Sequence, residues 1–432
     1  GGCFQLADDF STYDDISPAQ RDLARTKQHH QGEWAWITEL ATANKDKLVM
    51  TMGVGTGMTK ESATHHRFML RRLEKIAEQG GKICGQVMMR LGGLHYCLAS
   101  GNHPFLPSAT FRRQWKDVGG SLQPLAVRLA NPAIRQAILA ETEEAIKKRT
   151  HPATGMTLDM LSNFGSTWPW TQGYEPGPED TIRSVAKREG CSVLEVAYDI
   201  LTRPDASHGG ILWRPLFNYG SGDLEPVREM VCHDLVVPGF ADAGAHVRFI
   251  CDATSATHTL SYWVRDRERG ERLPVELIVR KQTKDTAALV GLSDRGELRP
   301  GMKADINVID LGALRLLPPE FVKDLPLGAG RWVQGVEGYR LTVCSGAVTY
   351  EDGVATGTLP GRLVKNPRSV GLQGGLEGSV PAASDADMAV ESVDLKEHAL
   401  QISMQQGAGA SAVGRVFKSA TAEGGSTPQS RL

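Results

Sequence analysis

The sequence predicts an α/β protein in three segments, 1–295, 296–365 and 366–432, and three observations support this division. Up to about residue 245, short apolar runs alternate with amphipathic stretches, a pattern typical of βα repeats around a parallel sheet. From Leu298 the period shortens to closely spaced strands, which predicts a small β-domain. The last 67 residues contain one aromatic residue, Phe417, and are rich in Gly, Ala, Ser and Gln, so we expect a disordered tail.

Six apolar runs are predicted strands of the first segment. A closed (β/α)₈ barrel needs eight strands, so two are missing from this set. The chain opens with Gly1, without Met, and we therefore expect further sequence in front of it. The predicted strands span 3–6, 48–54, 83–89, 156–161, 211–216 and 235–240.

Helix signals lie between these strands. Met69, Leu73 and Ile76 are spaced to share one helical face. Ser192 followed by Glu195 is a capping-box pattern, which predicts that a helix begins there and continues to about residue 201. In the second segment, short strands are predicted over 301–310, 339–343, 347–350 and 354–356.

Composition excludes several classes of function. The 432 residues carry 48 Lys and Arg against 50 Asp and Glu, so no net field favours nucleic acid or a membrane surface. No apolar run approaches the roughly 18 residues of a membrane span. The seven cysteines are scattered without a Cys-x-x-Cys pair, which favours reduced thiols and a cytoplasmic protein. The oligomeric state stays open.

The segment 239–246, Gly-Phe-Ala-Asp-Ala-Gly-Ala-His, is the most informative for function. It places Asp242 and His246 directly after a predicted strand, among residues small enough for a ligand to approach the backbone. In a parallel barrel the carboxyl ends of the strands carry the catalytic groups. A carboxylate there can ligate a metal or accept a proton. An Asp that caps the next helix or orders the glycine turn explains the spacing about equally well.

Residues 241–246 resemble the Ser-Asp-x-Gly-Ala-His segment of the amidohydrolase superfamily, in its N-acyl-D-amino-acid deacylase (D-aminoacylase) group. The Gly-x-x-Ala-Asp pattern that ends at Asp305 is similar to a strand of the β-sandwich in these enzymes. The resemblance extends over about 1–365. Further segments that carry it are 215–219, 263–267, 273–276, 281–287, 296–305 and 357–364.

The resemblance implies an incomplete (β/α)₈ TIM-type barrel, with its first strands missing, beside the C-terminal half of a small β-sandwich. It further implies hydrolysis of a linear amide C–N bond by a water activated on zinc or another divalent metal. Asp242 matches the position of the metal ligand and proton acceptor. The implied substrate is a small N-acyl amino acid, of the D-enantiomer. A cyclic amide or a carbamoyl compound is the alternative substrate.

Four residues are candidates for substrate binding. Arg90 follows a predicted strand and could pair with a substrate carboxylate, although a surface arginine in a βα loop is the simpler interpretation. Asn218 and Tyr219 lie just past a strand end, where Tyr219 could equally be a packing residue. His246 closes the motif that contains Asp242.

One expected motif is missing from this sequence, and one run of charged residues has a simple structural explanation. The superfamily's His-x-His motif has no counterpart here, because His65 and His66, like the pair at 29–30, are neighbours on a predicted helix and point about 100° apart. We expect exposed helix histidines at both pairs. An inactive, truncated barrel is therefore a further alternative. The charge run 265–269 predicts a solvated helix face.

Overall fold

The computed structural model describes residues 3–7, 23–43, 47–52, 60–148, 162–170, 173–203, 210–239, 241 and 243–364. All of them belong to one unit of the chain. The strands in these ranges are β1 Cys3–Ala7, β2 Lys47–Thr51, β3 Ile83–Val87, β4 Gly93–Tyr96, β5 Trp168–Pro169, β6 Leu212–Pro215, β7 Val236–Pro238, β8 Ile306–Ile309, β9 Arg315–Val322, β10 Arg331–Glu337, β11 Tyr339–Cys344, β12 Ala347–Glu351 and β13 Val354–Ala355.

The helices pack around and between these strands. Two π-helical turns, Tyr262–Asp266 and Lys281–Asp285, directly follow two of the helices. The α-helices in the described ranges are α1 Leu23–Ala43, α2 Lys60–Glu78, α3 Ala109–Asp117, α4 Leu122–Leu129, α5 Pro132–Lys148, α6 Ile182–Glu189, α7 Val193–Leu201, α8 Glu225–Cys232, α9 Ser255–Ser261, α10 Val275–Arg280 and α11 Thr286–Leu289.

The first three strands and β7 form a four-stranded parallel sheet in the order β1-β2-β3-β7. Its central strands are apolar because a parallel sheet is covered on both faces. Helix α2 buries Met69, Leu73 and Ile76, which confirms the predicted helical face. At Gly85 on β3, a Cβ atom would lie 2.9 Å from Leu73 Cδ1, so glycine allows the helix and sheet to approach closely.

The hydrophobic core joins this sheet to the surrounding helices. Met50 of β2 and Val236 of β7 are fully buried in it, beside Trp34 of α1. Trp213 of β6 and Trp263 after α9 belong to the same cluster. Because each large apolar side chain contributes roughly 1.5–3 kcal/mol on burial, this cluster is the main source of stability.

A second sheet contains β4, β6 and β5 in that order, and its strands are antiparallel. The strand predicted at 211–216 is present as β6, but it does not join the parallel sheet. An apolar run predicts that a strand is buried, but it does not predict which strand will pair with it or in which direction, since periodicity carries no information on either.

The chain from β8 onwards is β-rich, as its spacing predicts. An antiparallel sheet has the order β13-β12-β11-β8. The hairpin of β9 and β10 was not predicted. Its first strand, β9, contains Pro318 and Pro319. A proline nitrogen cannot donate a hydrogen bond to a neighbouring strand, and β9 tolerates this because it pairs with β10 alone and so has one unpaired edge.

The α/β class is confirmed, whereas a closed barrel is not. The described strands form four separate sheets. The strand predicted at 156–161 and the tail at 366–432 lie outside the described residues, and the boundaries of the three segments remain predictions. Within the described ranges, no helix is both long and apolar enough to span a membrane.

Candidate functional site

The motif 239–246 leaves the carboxyl edge of the parallel sheet. The Gly239 N–H donates to the carbonyl of Val87 at 3.0 Å, so the chain after β7 still follows the end of β3. A Cβ at Gly239 would lie 2.6–2.8 Å from side-chain atoms of Gln86, and a larger residue would push that side chain aside. Asp242 itself lies outside the described residues.

The remainder of the motif forms an exposed turn. Gly244 has φ +89° and His246 φ +47°, a left-handed conformation that glycine adopts without steric cost. The carbonyl of His246 accepts hydrogen bonds from the N–H groups of Phe249 and Ile250 at 2.7 and 3.0 Å. The His246 side chain is exposed.

A cavity of about 730 Å³, here called the strand-end cavity, adjoins this motif. Pro238, Gly239 and Ala241 line it, together with residues of α9, α10 and β8. Ligands of open α/β sheets bind at the carboxyl ends of the strands, and this cavity has that position. Apolar side chains supply much of its wall, among them Met89, Leu260, Val279, Leu298, Ile306 and Ile309.

The acidic residues of the strand-end cavity already have cationic partners. Glu297 pairs with Lys284 at 3.0 Å, and Asp305 pairs with Lys303. Their charges are therefore largely compensated at the rim. The cavity as a whole favours an apolar group over an ion.

Arg90 is fully buried and forms an ion pair with Asp252. Its Nη1 donates to the Tyr174 hydroxyl and to Thr254 Oγ1, both at 2.9 Å, and to Gln334 Oε1 at 3.1 Å. The guanidinium carbon also lies 4.3 Å from the centre of the Tyr174 ring. These contacts tie the loop after β3 to α9 and β10, and the substrate-binding role of Arg90 stays a prediction.

Asn218 and Tyr219 are also buried, at the end of β6. The Tyr219 hydroxyl donates to the carbonyl of Pro176 and accepts from Arg269 at 3.0 Å. Its ring packs edge-on against Trp168, with the centroids 5.6 Å apart. Burial raises the pKa of the Tyr219 hydroxyl. Neither residue is among those that line the strand-end cavity.

A second buried ion pair, between Glu175 and Arg267, was not predicted. The Arg267 side chain has no exposed surface, and its nitrogens lie 3.3 Å from both carboxylate oxygens of Glu175. The Tyr262 hydroxyl donates to the same carboxylate. The interpretation of 265–269 as a solvated face is therefore wrong for Arg267, because alternating charges do not indicate which one turns inward.

Histidine placement also differs from the prediction. His66 is buried and lies 2.9 Å from Glu229 of α8, so the expectation of an exposed residue is wrong for it. Hydrogen bonds from Arg67 and His66 lower the pKa of Glu229 to about 2. Burial, with a smaller contribution from Arg90, lowers the pKa of His95 to about 3.

The described side chains do not fit a metal ion. Over these ranges, no three or more His, Cys, Asp and Glu residues are grouped so that they could hold one. A catalytic zinc site needs three protein ligands. Asp242, the ligand that the resemblance implies, lies outside these ranges.

The sequence profile of the amidohydrolase family matches residues 19–350, a stretch that includes β7 and the motif after it. The chain belongs to the amidohydrolase family. This amidohydrolase chain has no match among curated proteins.

Solved structures similar to the chain include two deacylases. One is a D-aminoacylase, at 17% identity and a TM-score of 0.34, over 72% of this chain and 48% of that one. Another is N-acyl-D-glutamate deacylase from Bordetella bronchiseptica, complexed with zinc and a phosphonate inhibitor that mimics the tetrahedral intermediate. It has 16% identity and a TM-score of 0.35, over 74% of this chain and 51% of that one. The chain spans about half the length of these structures.

Proposed function

We propose that the chain is the part of an amide hydrolase that carries the proton acceptor, Asp242. The observation that supports this most is that the family motif and the strand-end cavity meet at one place, since Gly239 and Ala241, which precede Asp242 in the motif, lie in the cavity wall. The volume of about 730 Å³ lies in the usual range for small-molecule sites.

The proposed substrate is a linear N-acyl amino acid, of the D-enantiomer. The apolar wall supports an apolar acyl or side-chain group in the cavity, since it would gain about 25 cal/mol for each Å² removed from water. His246, the last residue of the motif, is exposed. In this proposal it contacts the polar end of the substrate.

In the proposed reaction, the Asp242 carboxylate accepts a proton from water as the water oxygen attacks the amide carbon. The C–N bond then breaks, and the protonated carboxyl returns the proton to the departing amine nitrogen. The products are a carboxylic acid and a free amino acid. The (β/α)₈ barrel and a zinc or other divalent ion remain part of the proposal through the resemblance alone.

The test is amine release from a substrate panel by the full chain, with and without added zinc. The panel contains N-acetyl-D-amino acids, N-acetyl-L-amino acids, N-carbamoyl amino acids and hydantoins. We expect hydrolysis of the N-acetyl-D compounds, and a loss of at least about a hundredfold in kcat/KM for Asp242→Asn. Asp234→Asn, the same change at an exposed position before β7, is the matched control and should retain activity.

Either of two results would contradict the proposal. Full activity of Asp242→Asn would remove this residue from the mechanism. No turnover of any compound by the wild-type chain, with or without metal, would favour the alternative of an inactive barrel. Turnover of hydantoins or carbamoyl compounds alone would retain the hydrolase and change its substrate.

A further inference from the structure

A second cavity, of about 310 Å³, shares no lining residue with the strand-end cavity. Helix α9 contributes to both, because Ser255 and Thr259 line the strand-end cavity whereas His258 and Ser261 line the second. We call the second the aromatic cavity, since its walls include four rings. These belong to Trp170, Tyr174, His258 and Tyr262.

The aromatic cavity contains buried nitrogen atoms with no hydrogen-bond partner. His258 is 5% exposed, and within the described part of the chain neither of its ring nitrogens has a partner. Its ring lies between Tyr262, stacked at 4.7 Å, and Tyr174, perpendicular at 5.1 Å. Trp170 Nε1 is likewise buried without an acceptor there. Folded proteins satisfy nearly all buried polar groups, and a ligand in this cavity would supply partners for both residues.

The spare hydrogen-bonding groups define what that ligand must offer. Trp170 Nε1 can only donate, and burial lowers the pKa of His258 well below its usual value, so its neutral ring has one donor and one acceptor. Gln334 offers no free acceptor, because its Oε1 already accepts from Arg90 and Tyr174, while its Nε2 donates one hydrogen bond to a backbone carbonyl. The wall therefore presents more donors than acceptors.

Charges at the mouth of the aromatic cavity are paired within the protein. Asp266 forms a two-pronged contact with Arg265 at 2.5 and 2.7 Å. Arg315 pairs with Glu337 at 2.5 Å. With no spare charge on the rim, the cavity favours an uncharged ligand.

We propose that the aromatic cavity binds a small, uncharged aromatic compound that carries a carbonyl oxygen. The aromatic ring lies against Tyr262 and Trp170, and the carbonyl oxygen accepts hydrogen bonds from Trp170 Nε1 and His258. The site is separate from the proposed hydrolytic centre and does not depend on it.

Acetophenone is a suitable probe because it has no C–N bond to hydrolyse. Calorimetric titration of the full chain should show saturable binding of one equivalent. Ethylbenzene, which has a similar size but no carbonyl, should bind about tenfold more weakly. Benzoate, which adds a charge, should also bind more weakly than acetophenone.

Two substitutions test the residues themselves. Trp170→Phe and His258→Phe keep a ring in the wall but remove the nitrogens, and each should weaken acetophenone binding about fivefold to tenfold. Trp36→Phe, on the exposed side of α1, is the matched control and should bind as the wild type does. Near-ultraviolet circular dichroism and the Tm establish that each variant is folded.

Several results would overturn the proposal. These are no saturable binding by the wild-type chain, equal binding of acetophenone and ethylbenzene, unchanged affinity in both folded variants, or tighter binding of benzoate. A crystal structure of the soaked protein with water alone in the aromatic cavity would do the same. None of these results bears on amide hydrolysis, which the substrate panel tests independently.

Discussion

The strand-end cavity and the buried network around Arg90 use polar residues in opposite ways. Near the strand end, the described residues of the motif are small or exposed, and the cavity wall is largely apolar. Around Arg90, a fully buried cation pairs with Asp252 and donates to Tyr174 and Gln334 from different parts of the chain. The first arrangement leaves room for a substrate, whereas the second joins segments of the fold. A polar residue that follows a strand can therefore serve stability as readily as chemistry.

The largest expected effect on stability is at the buried network. Arg90→Met leaves Asp252 buried without its counter-charge, and we expect a loss of about 3–5 kcal/mol in the free energy of unfolding. Arg340→Met, the same change at an exposed arginine that pairs with Asp310 and Asp352, should cost less than about 1 kcal/mol. Urea denaturation measures both. Equal losses would show that burial does not distinguish the two pairs.

Asp242→Asn should have the opposite effect to Arg90→Met, with a large loss of activity and a small change in stability. We expect it to abolish hydrolysis but to change the free energy of unfolding by no more than about 0.5 kcal/mol, because asparagine has nearly the size of aspartate and differs from it in charge alone. Urea denaturation beside the activity assay checks this. A loss as large as that of Arg90→Met would assign Asp242 a structural role and remove the contrast between the two regions.

An intermediate effect, dependent on pH, is expected at Glu229. Its pKa is lowered to about 2 by hydrogen bonds from Arg67 and His66, so its contribution is present above the unfolded value of 4.5 and falls as the pH drops towards 2. Glu229→Gln should therefore cost about 1–2 kcal/mol at pH 6, with allowance for partial exposure, and progressively less between pH 4.5 and 3.

Urea denaturation from pH 6 to pH 3 measures this difference between wild type and Glu229→Gln. Glu143→Gln, at an exposed position on α5, is the control and should leave the pH profile of the wild type unchanged. A constant difference across the whole range would contradict the assignment to this carboxylate.

The smallest effect concerns a feature that the sequence alone predicts. Ser192 Oγ accepts from the Glu195 N–H at 3.2 Å, and the Glu195 carboxylate accepts from the Ser192 N–H at 2.8 Å. Ser192→Ala should cost about 1 kcal/mol. Ser121→Ala is the matched control, since Ser121 begins α4 without a side-chain capping bond. Thermal unfolding that shows equal shifts for both would contradict the capping role.

Local patterns predicted the elements well. The apolar face of α2, the capping box of α7 and most strand positions are where the sequence places them, because each depends on spacing within a few residues. Pairing was harder to predict. β6 joins an antiparallel sheet, and β9 with β10 forms a hairpin that was missed, since strand partners are chosen by distant packing.

Site residues show the same limit. Arg90 and Tyr219 were candidates on their position after strands, and the structure gives both of them internal partners. The ion pair between Glu175 and Arg267 was not predicted, because a contact across 92 residues leaves no local pattern. The aromatic cavity was missed for the same reason, as its walls come from segments that are far apart in the chain.

By itself, the sequence determined the α/β class, the family motif at 241–246 and the position of most strands and of helices α2 and α7, because these depend on local spacing and on residue chemistry. Only the tertiary structure decided which charges are buried, which strands pair and where the cavities lie. Those properties come from contacts between distant segments, where burial changes the free energy of a charge or a hydrogen bond by several kcal/mol. His258 shows the difference. In the sequence it is one more helix residue, whereas in the folded chain its ring lies in a cavity wall and its nitrogens have no hydrogen-bond partner among the described residues.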